Sequence, residues 1–151
     1  MGSFLLAQGK TTRLSVSACD DLAHAKQITR IVRNDHRPQD ALYDCTPATR
    51  IPVSSVGLKL GKIAAGAAEL HINNTSWTNK WDTCAPQVIL EEAGGTVTDF
   101  FGNPLDYRQS SLQWKNSFVA SNTLVHEKVL RAIKGYMETI GWEQPKYVGV
   151  Q

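Results

Sequence analysis

Hydrophobic and polar residues change their spacing several times along the chain, which predicts short strands alternating with helices. Period-two alternation and short apolar runs bounded by turn residues are typical of strands. Strands are expected at 13–17, 50–53, 69–72, 96–100 and 118–120. Apolar residues three and four apart are typical of helices. Helices are expected at 22–34, 56–65, 83–93 and after residue 122. This alternation predicts an α/β fold, with a mixed, largely parallel sheet flanked by helices.

Residues at the helix ends and along the helix faces refine this prediction. Asp20 or Asp21 is expected to cap the helix at 22–34, because a short acidic side chain accepts hydrogen bonds from free amide groups. Asn122 is expected to cap the last helix for the same reason. The helix at 56–65 should bury a stripe of apolar side chains. The stripe would consist of Leu58, Leu60, Ile63 and Ala64.

Composition excludes several classes of function. The 151 residues are 42% apolar and 20% charged, with a net charge of +2 and scattered basic residues, so neither nucleic-acid nor membrane binding is expected. No apolar stretch approaches the roughly 20 residues of a membrane span, and the opening residues lack a basic leader segment. Cys19, Cys45 and Cys84 are odd in number and form no CxxC pair. Free thiols in a cytoplasmic setting are therefore predicted.

The residues that suggest chemistry lie around the start of the helix predicted at 83–93. Trp81-Asp82-Thr83-Cys84-Ala85-Pro86 is followed by Ile89-Leu90-Glu91-Glu92-Ala93-Gly94-Gly95. Asp82 would lie beside free backbone amides and the positive end of a helix dipole. Taken alone, it is better interpreted as a helix cap than as a ligand. Ser55 is likewise better interpreted as a cap of the helix at 56–65 than as a ligand. Lys59 is equally well interpreted as a solvated helix lysine or as a phosphate contact.

The whole string closely resembles the second signature motif of the inositol monophosphatase superfamily. Its Cys-Ala-Pro variant is most similar to the 3′(2′),5′-bisphosphate nucleotidase branch. Three further segments resemble family motifs, so the resemblance runs over roughly residues 12 to 134. They are Ser54-Ser55-Val56-Gly57-Leu58-Lys59 with Ile63-Ala64-Ala65-Gly66, Thr98-Asp99-Phe100-Phe101-Gly102-Asn103-Pro104-Leu105, and Phe118-Val119-Ala120-Ser121-Asn122.

The resemblance implies a fold, an activity and roles for three residues. Residues 12–151 would form the carboxyl-terminal half of a layered sugar/inositol phosphatase fold, and residues 1–11 a strand left from the preceding domain. The activity would be a Mg²⁺-dependent phosphomonoesterase. Asp82 would bind Mg²⁺ and touch the substrate, while Lys59 and Ser55 would contact a phosphate or ribose. Lys80, beside the motif, is a weaker candidate for a phosphate contact.

The other metal ligands of the family lie upstream, on a helix that carries a Glu and in a D-P-x-D-G-T segment. No Asp-Pro dipeptide occurs in the 151 residues. We therefore assign no catalytic residue and expect the isolated chain to be inactive. The leading substrate is a 3′(2′),5′-bisphosphate nucleotide, with inositol monophosphate or fructose 1,6-bisphosphate as alternatives. A non-catalytic nucleotide- or anion-binding module and a structural fragment are alternatives of another class. A homodimer is possible, since relatives commonly dimerise.

Two departures from the family pattern accompany these matches. Ser17-Ala18-Cys19 stands where relatives often have an S-R-S-H stretch whose histidine approaches the nucleotide, which weakens the case for adenosine recognition. Glu69 and His71 replace the usual Asp and Tyr of a D-x-Y strand. We interpret His71 as a strand residue packed at its ring edge.

Overall fold

The computed structural model describes residues 1–31, 38–75, 78–114 and 117–141. Short strands alternate with helices along these ranges. In chain order the elements are β1 (Phe4–Ala7), β2 (Lys10–Arg13), β3 (Lys26–Thr29), a 3₁₀ helix (Pro38–Cys45), β4 (Thr49–Pro52), α1 (Val56–Ala64), β5 (Leu70–Asn73), α2 (Lys80–Glu92), β6 (Thr96–Asp99), β7 (Phe118–Ser121) and α3 (His126–Thr139).

Five of the strands form one mixed sheet in the order β4-β3-β5-β7-β6. β3 pairs in parallel with β4 on one side and with β5 on the other. β7 pairs antiparallel with both β5 and β6. The predicted mixed sheet is therefore confirmed, but it is not largely parallel: two strand pairings at one side are parallel and two at the other side are antiparallel. β1 and β2 form a separate antiparallel hairpin, which extends past the boundary expected at residue 11.

Helices cover both faces of this sheet, and a hydrophobic cluster lies under each layer. Side chains of a strand alternate between faces. In β7, Phe118 and Ala120 belong to the cluster that also contains Leu60 of α1 and Leu90 of α2. Val119, between them, belongs to the cluster beneath α3 and the 3₁₀ helix. The result is three layers, with α1 and α2 on one face and α3 on the other. No helix among the described residues has the length and hydrophobicity to cross a membrane.

The predicted helix at 22–34 is wrong over its described part. The Asp21 side chain accepts a hydrogen bond from the Ala23 amide at 3.0 Å and closes a turn, not a helix. Residues 26–29 then form β3, in the middle of the parallel half of the sheet. Ile28 is fully buried there between two strands. Tertiary pairing thus outweighs the helical spacing of a short apolar run. The end of the predicted helix lies outside the described residues.

Three further predictions need correction in detail. β2 ends at Arg13, so the expected strand at 13–17 is an irregular segment whose Leu14 and Val16 still pack on the core. In α1 the side chain of Leu58 is 51% exposed, whereas Lys59 is buried in the stripe assigned to apolar residues. Asn122 accepts from the Val125 amide at 3.2 Å, but α3 begins only at His126, so Asn122 shapes the preceding turn.

Candidate active site

The parallel half of the sheet places the starts of two helices at one edge. The chain leaves β4 at Pro52 and enters α1 at Val56, and it leaves β5 at Asn73 and enters α2 at Lys80. Since β3, β4 and β5 run in parallel, their carboxyl ends share this edge. Ligands of open α/β sheets bind at such an edge.

α1 and α2 pack side by side and point in the same direction. Close to their starts, a Cβ built on Gly57 would lie 3.5 Å from the Pro86 ring. Past their ends, Cβ atoms on Gly66 and Gly94 would lie 3.1 Å from Ser15 O and 3.6 Å from the Val16 side chain. Both helices therefore end at the same irregular segment and begin together at the opposite edge. Their positive dipole ends and free amide groups face the same space.

Asp82 is the third residue of α2. Its Oδ2 accepts a hydrogen bond from the Asn79 amide at 2.9 Å, which ties the carboxylate to the residue that caps the helix. α2 thus begins three residues earlier than predicted, and Asp82 is neither its first residue nor its cap. Within the described chain Oδ1 of Asp82 has no hydrogen bond, so one carboxylate oxygen can accept a ligand while the other holds the turn.

This arrangement fits one ligand of a Mg²⁺ ion. Mg²⁺ prefers oxygen ligands in octahedral geometry and is commonly bound by carboxylates. Asp82 Oδ1 is a carboxylate oxygen of this kind. Within the ranges the structure describes, no group of three or more His, Cys, Asp or Glu side chains could hold a metal ion. Further ligands would therefore have to approach this edge from outside the described residues.

Ser55 caps α1. Its Oγ accepts a hydrogen bond from the Leu58 amide at 3.3 Å, as expected of a capping serine. The hydroxyl hydrogen donates to no other described residue. Ser55 is exposed, so it can cap the helix and still donate to an anion at the edge. The cap interpretation of Ser55 is correct, and it does not exclude binding.

Lys59 lies one turn further along α1, on its buried side, with only 6% of the residue exposed. Burial, assisted by the positive charge of Arg30, lowers the pKa of Lys59 to about 8. Its ammonium group has no hydrogen bond or ion pair with any other part of the chain that the structure describes. Lys59 is therefore not a solvated helix lysine. No hydrogen bond joins Lys59 or Ser55 to Asp82 among the described residues, so the three are brought to one edge without direct contact.

Arg30 and Asp40 were not singled out from the sequence, yet they form an ion pair next to this edge. Arg30 Nε donates to Asp40 Oδ1 at 2.8 Å, and a second guanidinium nitrogen donates to Oδ2. Both side chains are largely buried. No sequence pattern indicates this pair, because its members lie ten residues apart and β3 was predicted as a helix. Asn79 could have been found, since its spacing to Asp82 is that of a helix-start pair.

Lys80 is engaged in the interior and does not face the edge. Its ammonium donates to the backbone oxygen of Tyr107 at 3.2 Å and to that of Gln109. It also lies 5.6 Å above the ring of Trp114. The residue is buried, so the weaker candidate for a phosphate contact has a different role in this fold.

Two buried histidines, one in β5 and one at the start of α3, have structural roles in the described chain. His71 is fully buried, donates from Nδ1 to Ile28 O at 2.8 Å and contacts Phe118 edge-to-face. Burial, with the nearby charge of Lys59, lowers the pKa of His71 to about 3, so it stays neutral. His126 lies between two hydroxyl groups, with Nε2 2.9 Å from Thr98 Oγ1 and Nδ1 2.8 Å from Ser121 Oγ. The interpretation of His71 as a packed strand residue agrees with the structure.

Ser17, Ala18 and Cys19 lie away from the candidate edge. Asn122 donates to the backbone oxygens of Ser17 at 3.2 Å and Cys19 at 2.7 Å. Ser17 directly follows Ser15 and Val16, which contact the carboxyl ends of α1 and α2. These three residues therefore lie near the carboxyl ends of α1 and α2, whereas Asp82 lies at the start of α2.

The chain belongs to the inositol monophosphatase family, because the model of that family matches residues 4–138. Among curated proteins it is similar to 3′(2′),5′-bisphosphate nucleotidase 1 of Rattus norvegicus, at 38% identity over 68 residues, 45% of this chain and 22% of the relative. It is also similar to a fructose-1,6-bisphosphatase/inositol-1-monophosphatase of Thermotoga maritima, at 31% identity over 59% of this chain and 32% of the relative.

Solved structures of the family have the same fold. An IMPase of Thermotoga maritima superposes with a TM-score of 0.68 at 25% identity, over 86% of this chain and 48% of its own. SuhB of Mycobacterium tuberculosis gives a TM-score of 0.70 at 21% identity, over 90% of this chain and 51% of its own. The chain thus spans about half the length of these structures and less of the curated relatives.

Proposed function

We propose that this chain supplies one wall of the active site of a Mg²⁺-dependent phosphomonoesterase. The observation that carries the proposal is Oδ1 of Asp82, which accepts no hydrogen bond within the described residues. It is held at the common starting edge of two parallel helices, within the family motif. A phosphate ester is a dianion, and helix starts favour negative charge. The remaining metal ligands would come from a segment that the full-length relatives carry.

The proposed substrates are 3′(2′),5′-bisphosphate nucleotides, with adenosine 3′,5′-bisphosphate converted to AMP and phosphate. Two features support this choice over inositol monophosphate or fructose 1,6-bisphosphate. The Cys-Ala-Pro form of the motif resembles the nucleotidase form, and relatives named for that activity in three mammals are similar to this chain. A cytoplasmic location and a homodimer belong to the same proposal.

Each residue at the edge has a distinct part in this proposal. When bound, Mg²⁺ supplies charge neutralisation and a water of lowered pKa. Asp82 contributes a fixed oxygen to hold it. Ser55 donates its hydroxyl hydrogen to a substrate oxygen. Lys59 places a cation beneath the edge, where low exposure to water strengthens its attraction for phosphate.

The test is phosphate release from adenosine 3′,5′-bisphosphate by this chain mixed with the amino-terminal half of a family nucleotidase. We expect Asp82→Asn to lower kcat at least 100-fold, because the metal site loses an anionic ligand. Stability should fall by about half a kcal/mol or less, since an amide oxygen still accepts from Asn79. Glu91→Gln, an exposed carboxylate on the same helix, is the matched control and should keep full activity. Equal loss of stability and activity in Asp82→Asn would return Asp82 to a purely structural role.

A second candidate function is a non-catalytic anion-binding module. The buried ammonium of Lys59, which has no partner among the described residues, favours it. This function predicts that inorganic phosphate raises the melting temperature of the isolated chain. It also predicts that Lys59→Met abolishes the rise, whereas Lys62→Met, on the same helix, leaves it intact. Binding without turnover in the mixed protein would favour this module over the enzyme.

A further inference from the structure

Residues 107–114, which we call the clamp segment, fold back onto the start of α2. The Lys80 amide donates to Leu112 O at 2.8 Å, and the Trp114 amide donates to Thr78 O at 2.9 Å. Between these two bonds Asn79 and Gln113 pair as an antiparallel bridge. The backbone immediately before Asp82 is therefore held by a segment some thirty residues away in the chain.

The side chain of Lys80 strengthens this attachment at an electrostatic cost. Lys80 is the first residue of α2, where the helix dipole disfavours a cation, and it is buried, which disfavours any charge. The cost is offset by two backbone oxygens of the clamp segment and by the face of the Trp114 ring. These contacts hold the clamp segment against the first turn of α2.

A second set of contacts lies one turn along α2. Thr83 Oγ1 accepts from the indole nitrogen of Trp114 at 2.8 Å and donates to Lys80 O at 3.0 Å. The Tyr107 hydroxyl lies 2.7 Å from Gln87 Oε1 and 3.1 Å from Thr83 Oγ1. Lys80, Thr83 and Gln87 are spaced three and four residues apart, so they form one face of the helix. Asp82 is on a different face, free of these contacts.

We propose that Lys80, Tyr107 and Trp114 form a clamp that sets the position of the Asp82 carboxylate. They are positioning residues: they act through the first turn of α2 and touch no ligand. The proposal rests on the proposed function for the role of Asp82, but the clamp itself is a property of this chain. A metal ligand must be held closely to its productive geometry, which a frayed helix end would not provide.

Amide hydrogen exchange of the isolated chain, measured by NMR, tests the clamp without any activity. Lys80→Met removes the ammonium and keeps the length of the side chain. We expect exchange at Asn79, whose amide donates to Asp82, and at Trp114 to rise at least tenfold relative to Leu90 of α2. Lys80→Arg retains two donors and should restore most of the protection. Lys62→Met, which alters a lysine of α1, should change none of these amides.

Two results would overturn the clamp. One is a uniform rise at all amides, which would show that Lys80 stabilises only the fold as a whole. The other is unchanged exchange at Asn79 and Trp114. If Lys80→Met does not fold, Tyr107→Phe removes a single hydroxyl and supplies the same comparison with a smaller expected rise.

The mixed protein adds a functional readout. Lys80→Met should raise the Mg²⁺ concentration needed for half-maximal activity several-fold with little change in the KM for nucleotide, and Lys80→Arg should reverse this. Suppose instead that Lys80→Met speeds exchange but leaves the Mg²⁺ requirement unchanged. Lys80 would then stabilise the first turn of α2 without positioning Asp82, which would contradict the proposal. If the wild-type mixture has no activity at all, the proposed function fails, while the exchange experiment still decides whether the clamp exists.

Discussion

At the scale of single residues, Lys59 combines a stability cost with its proposed role in binding. A buried ammonium without a carboxylate partner in the described chain is unfavourable, as the pKa of about 8 indicates. Below that pH both the folded and the unfolded protein hold the proton, and the folded state carries the full cost. Between about pH 8 and the ordinary pKa of 10.5 the folded state loses the proton first, so stability rises with pH in that window.

We therefore predict that Lys59→Met makes the isolated chain more stable at pH 7 by about 1–3 kcal/mol. The gain should shrink as the pH rises from 8 to 10.5, because the wild-type charge disappears. Urea unfolding of both proteins at several pH values measures this difference. Lys62→Met is the control, with an effect of about half a kcal/mol or less at any of these pH values. A Lys59→Met protein less stable than wild type at pH 7 would show that the ammonium has a partner and is not a cost.

The sequence identifies Asp82, Ser55 and Lys59 as candidate site residues because a motif is a local pattern of residue types and spacings. It does not predict how deeply each side chain is buried or which groups surround it. Whether Lys59 is solvated or buried depends on which side of α1 faces the sheet, and the apolar Leu58 beside it was the more natural choice for the interior. The role of Lys80 depends on a segment distant in the chain, which no local pattern specifies.

At the scale of elements, α2 is fixed at both ends: the clamp segment holds its start, and a close approach of backbone holds its end. At Gly95, after α2, a Cβ would lie 2.7 Å from Ser121 O of β7 and 2.3 Å from a methyl group of Leu90. Only glycine allows the chain to pass between helix and sheet at that distance. The pair Gly94-Gly95 was predicted to end this helix, and a positive φ of 94° is indeed found at Gly94.

We predict that Gly95→Ala destabilises the chain by about 2 kcal/mol or more, because the clash involves a backbone oxygen that cannot move freely. Gly135→Ala is the matched control. Nothing lies within 4 Å of a Cβ at that position in α3, so alanine should stabilise the helix by about 0.5–1 kcal/mol. Urea midpoints at constant m-value measure both. Similar midpoints for the two variants would mean that α2 can shift away from β7 without cost.

Some elements are predicted nearly correctly, because their local sequence pattern and their tertiary packing favour the same structure. These are α1, α2 and the strands β4 to β7. The strand β3 was missed because its four residues are too few to show a period. Its identity follows from pairing with β4 and β5, which lie 20 to 45 residues away. The sequence of a parallel strand does not indicate its pairing partners. Its short apolar run is equally compatible with a buried helix.

At the scale of the whole molecule, the site needs more oxygen ligands than the described chain offers. We predict that this chain, purified alone with Mg²⁺, releases no phosphate from adenosine 3′,5′-bisphosphate. A metal-driven rate enhancement should vanish when most of the ligands are absent. The assay compares the chain with a mock-purified sample and with the mixture that contains an amino-terminal half. Turnover by the chain alone would contradict the proposal that its active site has two walls.

The surface of the molecule is consistent with a missing wall. Trp81 and Val88 of α2 are 59% and 58% exposed. Because they are seven residues apart, they lie on one face of the helix. Leu58 of the neighbouring α1 is also exposed. On the separate hairpin, the side chains of β1 are exposed as well, among them Phe4 and Leu6. Large exposed apolar side chains grouped on one helix face are typical of an interface.

We predict that the isolated chain self-associates or binds a hydrophobic dye, and that an amino-terminal half of a family nucleotidase suppresses both. Each 100 Å² of apolar surface returned to water costs about 2.5 kcal/mol, so covering it stabilises the complex. Sedimentation and dye fluorescence measure the two effects. Trp81→Ser with Val88→Ser should weaken them, whereas Leu124→Ser, which removes an exposed leucine before α3, should not. A monomeric chain that binds no dye would instead indicate a self-sufficient domain, and it would favour the anion-binding module over the divided enzyme.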